Sequence, residues 1–146
     1  MSAPWAMPTL SREIGLRRAK RAKRFAAELG WPVGILTKQR TRTSVEIRSL
    51  AGDPRGRSVV LFDDEIATGG TLVAAAEAVL AAGARQVHAV ATHGVFTPGA
   101  LELLERSPLE RILVCDTVPR AHSSAKLEVV SIAADLASLL RGKPSA

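Results

Sequence analysis

The sequence predicts an α/β domain, a mostly parallel β-sheet flanked by helices. Three observations carry that prediction. From Ser58 onward, short apolar runs alternate with runs of helical character, the pattern of strand–helix–strand units. Hydrophobic residues make up 47% of the chain, which suits a folded core rather than a disordered polymer. The length of 146 residues gives room for one domain with a real core and not for two. The expected layout is a flexible lead-in over 1–11, a domain over 12–141 and a tail over 142–146.

The elements follow in order. Met1–Leu10 lacks the basic start and long apolar core of a secretory signal and reads as a loose lead-in. Leu16–Leu29 places small or apolar residues at Leu16, Ala19, Ala22, Phe25, Ala26 and Leu29, which is helical spacing. Its other face carries Arg17, Arg18, Lys20, Arg21, Lys23 and Arg24, and Gly30 and Pro32 close it. Val33–Leu36 reads as a short strand, Thr37–Arg42 as a basic loop and Val45–Leu50 as a strand. Gly52–Gly56 reads as a turn. Ser58–Phe62 is a buried-type strand, Asp63–Thr71 a loop, and Leu72–Ala82 an Ala-rich helix with Thr71 as its expected N-cap and Gly83 beyond its end. Val87–Thr92 is the next strand. Pro98–Ser107 then reads as a helix, Arg111–Cys115 and Leu127–Ser131 as strands, and Ala133–Leu140 as a helix.

Composition narrows the function. Up to Leu50 the formal charge is +8; beyond it the balance is −2. A basic half beside a slightly acidic one suggests an anionic ligand. Aromatics are only 3%, which leaves little for base stacking, and Arg17–Arg24 matches no nucleic-acid reading module. That basic helix face is equally well read as solvated surface. The single Cys115 excludes an internal disulfide and fits a reducing cytoplasm. In its apolar run it reads as a buried structural thiol. No His/Cys cluster has metal-ligand spacing, and no apolar stretch reaches membrane-spanning length.

The chemistry concentrates at Asp63–Thr71. Asp63 and Asp64 stand where a parallel strand ends, the usual place for ligands in α/β sheets. Small residues follow, with Thr68–Gly69–Gly70–Thr71 opening a helix. Glycine lets the backbone approach a ligand, and helix N-terminal N–H groups favour phosphate. The carboxylates suit a diol, so the whole string suits a pentose 5-phosphate. A bare Gly–Gly pair would be no more than a turn. The lysine-bearing nucleotide loop is absent, and the acids precede the glycines, unlike a dinucleotide fingerprint.

Val59–Thr71 (VVLFDDEIATGGT) resembles the phosphoribosyl-pyrophosphate loop of type I phosphoribosyltransferases and ribose-phosphate pyrophosphokinases. Three flanking segments resemble the second group: Ala91–Ala100 (ATHGVFTPGA), Val114–Pro119 (VCDTVP) and Val129–Leu139 (VVSIAADLASL). The likeness runs from about Phe25 to Leu140 and implies a phosphoribosyltransferase-like domain equivalent to the family's C-terminal half. It implies that Asp63 and Asp64 hold the ribose hydroxyls with Mg²⁺ nearby. It implies too that Ala67, Thr68, Gly69, Gly70 and Thr71 wrap the 5-phosphate. Lys38 and Arg40 match the basic pair of the family's mobile catalytic loop, where cations stabilise a transferring pyrophosphoryl group.

The pattern departs in three places. The family's first half, with much of the ATP site, has no counterpart. Glu13–Ile14–Gly15 only loosely replaces an Asp-x-Gly-Gly segment. Ala67 stands where many members have Asp. The resemblance therefore implies an enzyme transferring pyrophosphate from ATP to ribose 5-phosphate, completed by a homo-oligomer or a chain resembling the first half. A nucleobase phosphoribosyltransferase and a non-catalytic sugar-phosphate-binding regulatory module are the alternatives. Nucleic-acid binding ranks last. His93 reads as either ligand-facing or a hydrogen-bonded structural ring, with preference for the second; His88 and His122 show no partner pattern.

Overall fold

In chain order the elements are β1 (Trp5–Ser11), α1 (Gly15–Glu28), β2 (Ile35–Arg40), β3 (Val45–Ala51), β4 (Ser58–Ile66) and α2 (Gly70–Ala81). They continue with β5 (Gln86–Gly94), α3 (Ala100–Arg106), β6 (Leu109–Cys115), β7 (Leu127–Val130) and α4 (Ala133–Leu140). The computed structural model describes residues 5–11, 15–40, 45–119 and 124–142. Seven strands form one sheet in the order β3-β2-β1-β4-β5-β6-β7. Every neighbouring pair is parallel except the β2–β3 hairpin. The expected mostly parallel sheet flanked by helices is therefore what the chain forms.

Side chains alternate across a strand, and that alternation builds the core. Val59 and Leu61 of β4 share a face with Val87, Ala89 and Ala91 of β5. Ile112 and Val114 of β6 continue that layer. Against it, α2 buries Leu72, Ala75, Ala76 and Val79, an i, i+3, i+4, i+7 stripe. Alanines at the contact let the helix sit close to the sheet, and α3 adds Leu104. On the opposite side, Ala22 and Ala26 of α1 are fully buried. The Phe25 ring lies 5.3 Å from that of Phe62 and 6.4 Å from that of Trp31. Three aromatic rings thus pin the basic helix to β4. Gly30, at φ 64°, takes the left-handed turn that ends it.

Several boundaries differ from the sequence reading. Trp5–Ser11 is no lead-in but a strand in the middle of the sheet. Trp5–Pro8 pairs with β4 and Thr9–Ser11 with β2. Pro8, which has no N–H to donate, sits where the pairing changes partner, and it hides the strand pattern from view. Thr37–Arg40 belongs to β2 rather than to a loop, because β3 supplies a hairpin ladder and Thr37 Oγ1 meets Ser49 Oγ at 2.6 Å; Arg42 lies outside the described residues. The β4 strand continues through Asp63, Asp64 and Glu65, since β5 pairs with it as far as Ile66↔Gly94. Leu29 is exposed instead of completing the α1 stripe. Cys115, the last residue of β6, is only partly buried, beside Val130 of β7, which is itself exposed. Met1–Pro4, Glu13, Ile14, His122 and most of the expected tail lie outside the described residues. Among the described residues no helix is long and apolar enough to cross a membrane.

Candidate functional site

The predicted loop contracts to Ala67–Gly69, between the end of β4 and the first turn of α2. Gly69, not Thr71, is the N-cap, at φ 79° and without a side-chain cap hydrogen bond. Two constraints demand glycine there. The backbone is left-handed, and a Cβ would stand 2.9 Å from Leu104 Cγ. The first turn of α2 carries no acid, so no carboxylate of the helix's own first turn opposes the positive end of its dipole. Gly70 is spacious: a Cβ there would find only Thr68 Oγ1, 4.0 Å away. Thr68 is exposed, while Ala67 and Thr71 are half-buried.

The loop's carbonyls are fastened from β5. The N–H groups of Val95 and Phe96 both donate to Ile66 O at 3.0 Å, and that of Thr97 donates to Ala67 O at 3.0 Å. The Thr97 hydroxyl also donates to Ala67 O, at 3.3 Å. Phe96 adopts φ 43°, an uncommon conformation for a non-glycine residue. Sequence reasoning noticed the segment but not this clamp, which depends on two distant strand ends lying side by side.

The two aspartates are not equivalent. Consecutive strand residues face opposite sides. Asp63 is 5% exposed on the face shared with Val59 and Leu61, and its Oδ1 accepts the Asp64 N–H at 2.8 Å. Asp64 is 30% exposed on the α1 side, where Arg21 Nη1 lies 2.7 Å from its Oδ1. The paired diol clamp expected from adjacent carboxylates is thus split across the strand. Arg21 is thereby brought to the candidate site; the basic helix was the visible signal, but its target was not.

Lys38 and Arg40 are brought to the same edge of the sheet by their backbones. Lys38 pairs with Ser11 of β1, three residues beyond the Pro8↔Phe62 pair. That register sets Lys38 level with the end of β4, one strand removed. On the other flank of β4, Glu65 pairs with His93. His93 Nδ1 lies 2.7 Å from Thr117 Oγ1, whose hydroxyl donates to Thr92 O at 3.0 Å. Beyond it, Asp116 Oδ1 accepts the Ile132 N–H at 3.1 Å. The Ser131 hydroxyl and then this N–H hold the Asp116 carboxyl below its usual range. His88, away from this edge, has its pKa pushed down by burial. A hollow of about 630 Å³ over Phe96–Gly99, Leu101, Glu102 and Glu105 contains none of the predicted residues. Its two acids are ill suited to phosphate.

The geometry has counterparts. The family model described as the phosphoribosyl synthetase-associated domain matches residues 18–142. Ribose-phosphate pyrophosphokinase of Clostridium acetobutylicum is 39% identical over 125 residues, covering 84% of this chain and 39% of that relative. The enzyme of that name from Aquifex aeolicus is 40% identical over 124 residues, covering 84% and 40%. The chain thus spans about two fifths of the length of the curated relatives it matches. The crystal structure of phosphoribosylpyrophosphate synthetase from Mycobacterium smegmatis superposes with a TM-score of 0.79 at 29% identity. It covers 94% of this chain and 44% of that one. The TT1426 protein of Thermus thermophilus (TM-score 0.58, 18% identity, 86% of this chain and 80% of that one) shares the fold.

Proposed function

This chain belongs to the ribose-phosphate pyrophosphokinase family, and from that premise we propose that it supplies the ribose 5-phosphate site of such an enzyme. The observation that carries the reading is Gly69, a left-handed N-cap with no room for a side chain, placed just after the carboxylates of a strand end. Ala67, Thr68, Gly69, Gly70 and Thr71 wrap the phosphate, using backbone N–H groups, the helix dipole and hydroxyl donors. Asp64, the more accessible carboxylate, takes a ribose hydroxyl. Asp63 does the same from the other face of β4 or, through the Asp64 N–H, fixes the turn of the strand end. Arg21 holds Asp64 until a ligand competes for it.

The reaction is transfer of pyrophosphate from ATP to the 1-hydroxyl of ribose 5-phosphate. Lys38 and Arg40 neutralise charge on the pyrophosphoryl group in flight. The carboxylates of Asp63 and Asp64 are hard oxygen donors of the kind Mg²⁺ prefers. That ion is commonly held by one or two carboxylates with substrate phosphates and water; its role would be to balance polyphosphate charge. Protein surface for ATP comes from a homo-oligomer or from a segment resembling the roughly three fifths of the relatives that this chain does not span. Such an enzyme works in the cytoplasm, where its nucleotide substrate is found.

Calorimetric titration of the chain with ribose 5-phosphate and with phosphoribosyl pyrophosphate, with and without Mg²⁺, tests the site. Saturable binding that Asp64→Asn weakens at least tenfold is expected, the cost of one charge-assisted hydrogen bond. An assay for AMP release from ATP then separates an enzyme from a regulatory binding module. Absence of binding by either sugar phosphate would refute the site.

A further inference from the structure

His93 is exposed at the C-terminal edge of β5, beside Glu65 and one residue beyond the level of Asp64. Its hydrogen bonding settles which ring nitrogen carries the proton. A threonine hydroxyl has one hydrogen. Thr117 Oγ1 spends it on Thr92 O, a carbonyl that can only accept. The remaining contact, between Thr117 Oγ1 and His93 Nδ1, is therefore satisfied only if Nδ1–H donates. The neutral ring then carries its lone pair on Nε2, and among the described residues Nε2 makes no hydrogen bond. An imidazole in this state accepts at Nε2 and offers no donor there. It can take a hydroxyl but not a phosphate oxygen.

The surroundings tie the ring to the loop. Two residues further on, the chain begins to clamp Ile66 and Ala67. On the other side, the bridge from His93 to Asp116 anchors the β6 end. His93 thus sits between the two segments that build the edge, and its Nε2 is an acceptor with no partner among the described residues.

We infer that His93 is a built hydrogen-bond acceptor for a hydroxyl of the sugar, and that Thr117 is a positioning residue that fixes its Nδ1–H tautomer. This rests on the sugar-phosphate reading given above. His93 pairs with Glu65, on the face of β4 that Asp63 shares and against which α2 packs, so the imidazole and the Asp63 carboxylate approach the sugar from that face while the α2 N-terminus takes its phosphate.

Long-range proton–nitrogen NMR on the ¹⁵N-labelled chain tests the inference directly, at a pH where the ring is neutral. Wild type and Thr117→Ser are expected to show His93 protonated on Nδ1, and Thr117→Val to revert towards the Nε2–H form. Ribose 5-phosphate should shift the His93 Nε2 signal. Inorganic phosphate should shift the Gly69 and Gly70 amides and leave Nε2 in place. His93→Phe should weaken ribose 5-phosphate about tenfold, the loss of one hydrogen bond to a neutral group, without changing affinity for inorganic phosphate. An Nε2–H wild-type ring overturns the inference. So does a ribose 5-phosphate titration that moves the glycine amides but not Nε2, which would leave the phosphate site standing. A titration that moves neither overturns both.

Discussion

The centre of the sheet and its β7 edge are built to different standards. At the centre, where α2 packs on β4, Val59, Leu61, Ala75, Ala76 and Val79 are all removed from water, and Gly69 is fitted against Leu104 without space for a methyl group. At the β7–α4 edge, Val129, Val130, Leu136, Leu139 and Leu140 are all exposed, and α4 buries no residue. The candidate site stands on the centre. A loop that must hold N–H groups in one geometry gains from a core that cannot yield, since interiors pack at crystal-like density. The exposed apolar residues of the edge contribute little to the fold of this chain by itself.

That contrast can be broken by substitution. Leu104→Ala is expected to cost the most, about 2–5 kcal/mol, because Leu104 is 1% exposed and its loss leaves a cavity; denaturant unfolding measures it. Gly69→Ala should cost about 1–3 kcal/mol through its left-handed backbone alone, and it should also weaken ribose 5-phosphate. Combining the two sharpens the comparison. The cavity left by Leu104 admits the new Cβ, so the double variant should lose less stability than the two losses added together. Additive losses would mean that the 2.9 Å approach is not what makes position 69 demand glycine.

Acid provides a smaller effect at the opposite flank. Asp116 has a folded pKa below its ordinary 3.8, so its contribution is present above that value and lost as pH falls through the folded value. Asp116→Asn should flatten the stability profile below about pH 4, with a smaller change than Gly69→Ala, as read by thermal unfolding across pH. Least affected should be Leu140→Ala. With the side chain 90% exposed, a change within about 0.5 kcal/mol is expected. A larger loss in denaturant unfolding would show that α4 carries more of the fold than its exposure indicates.

Legibility followed the range of the interactions. Strand–helix alternation from Ser58 to Leu140 could be read because each element there carries its own period. The α4 helix was placed at Ala133–Leu140, where it lies. Trp5–Ser11 could not be read, because two prolines nearby and a change of partner at Pro8 erase the local pattern. The loop at 67–71 was visible because glycine placement records backbone need. Arg21 on Asp64, Thr97 on Ala67 and Thr117 on His93 were not, since each joins residues at least 24 apart.

The sequence by itself determined the fold class, the strand-end carboxylates and the glycine loop, because period and backbone conformation are written in neighbouring residues. Only the tertiary structure decided which face each aspartate takes, why position 69 excludes a methyl group and which nitrogen of His93 holds the proton. Those depend on contacts that exist only once the sheet has brought distant strand ends together.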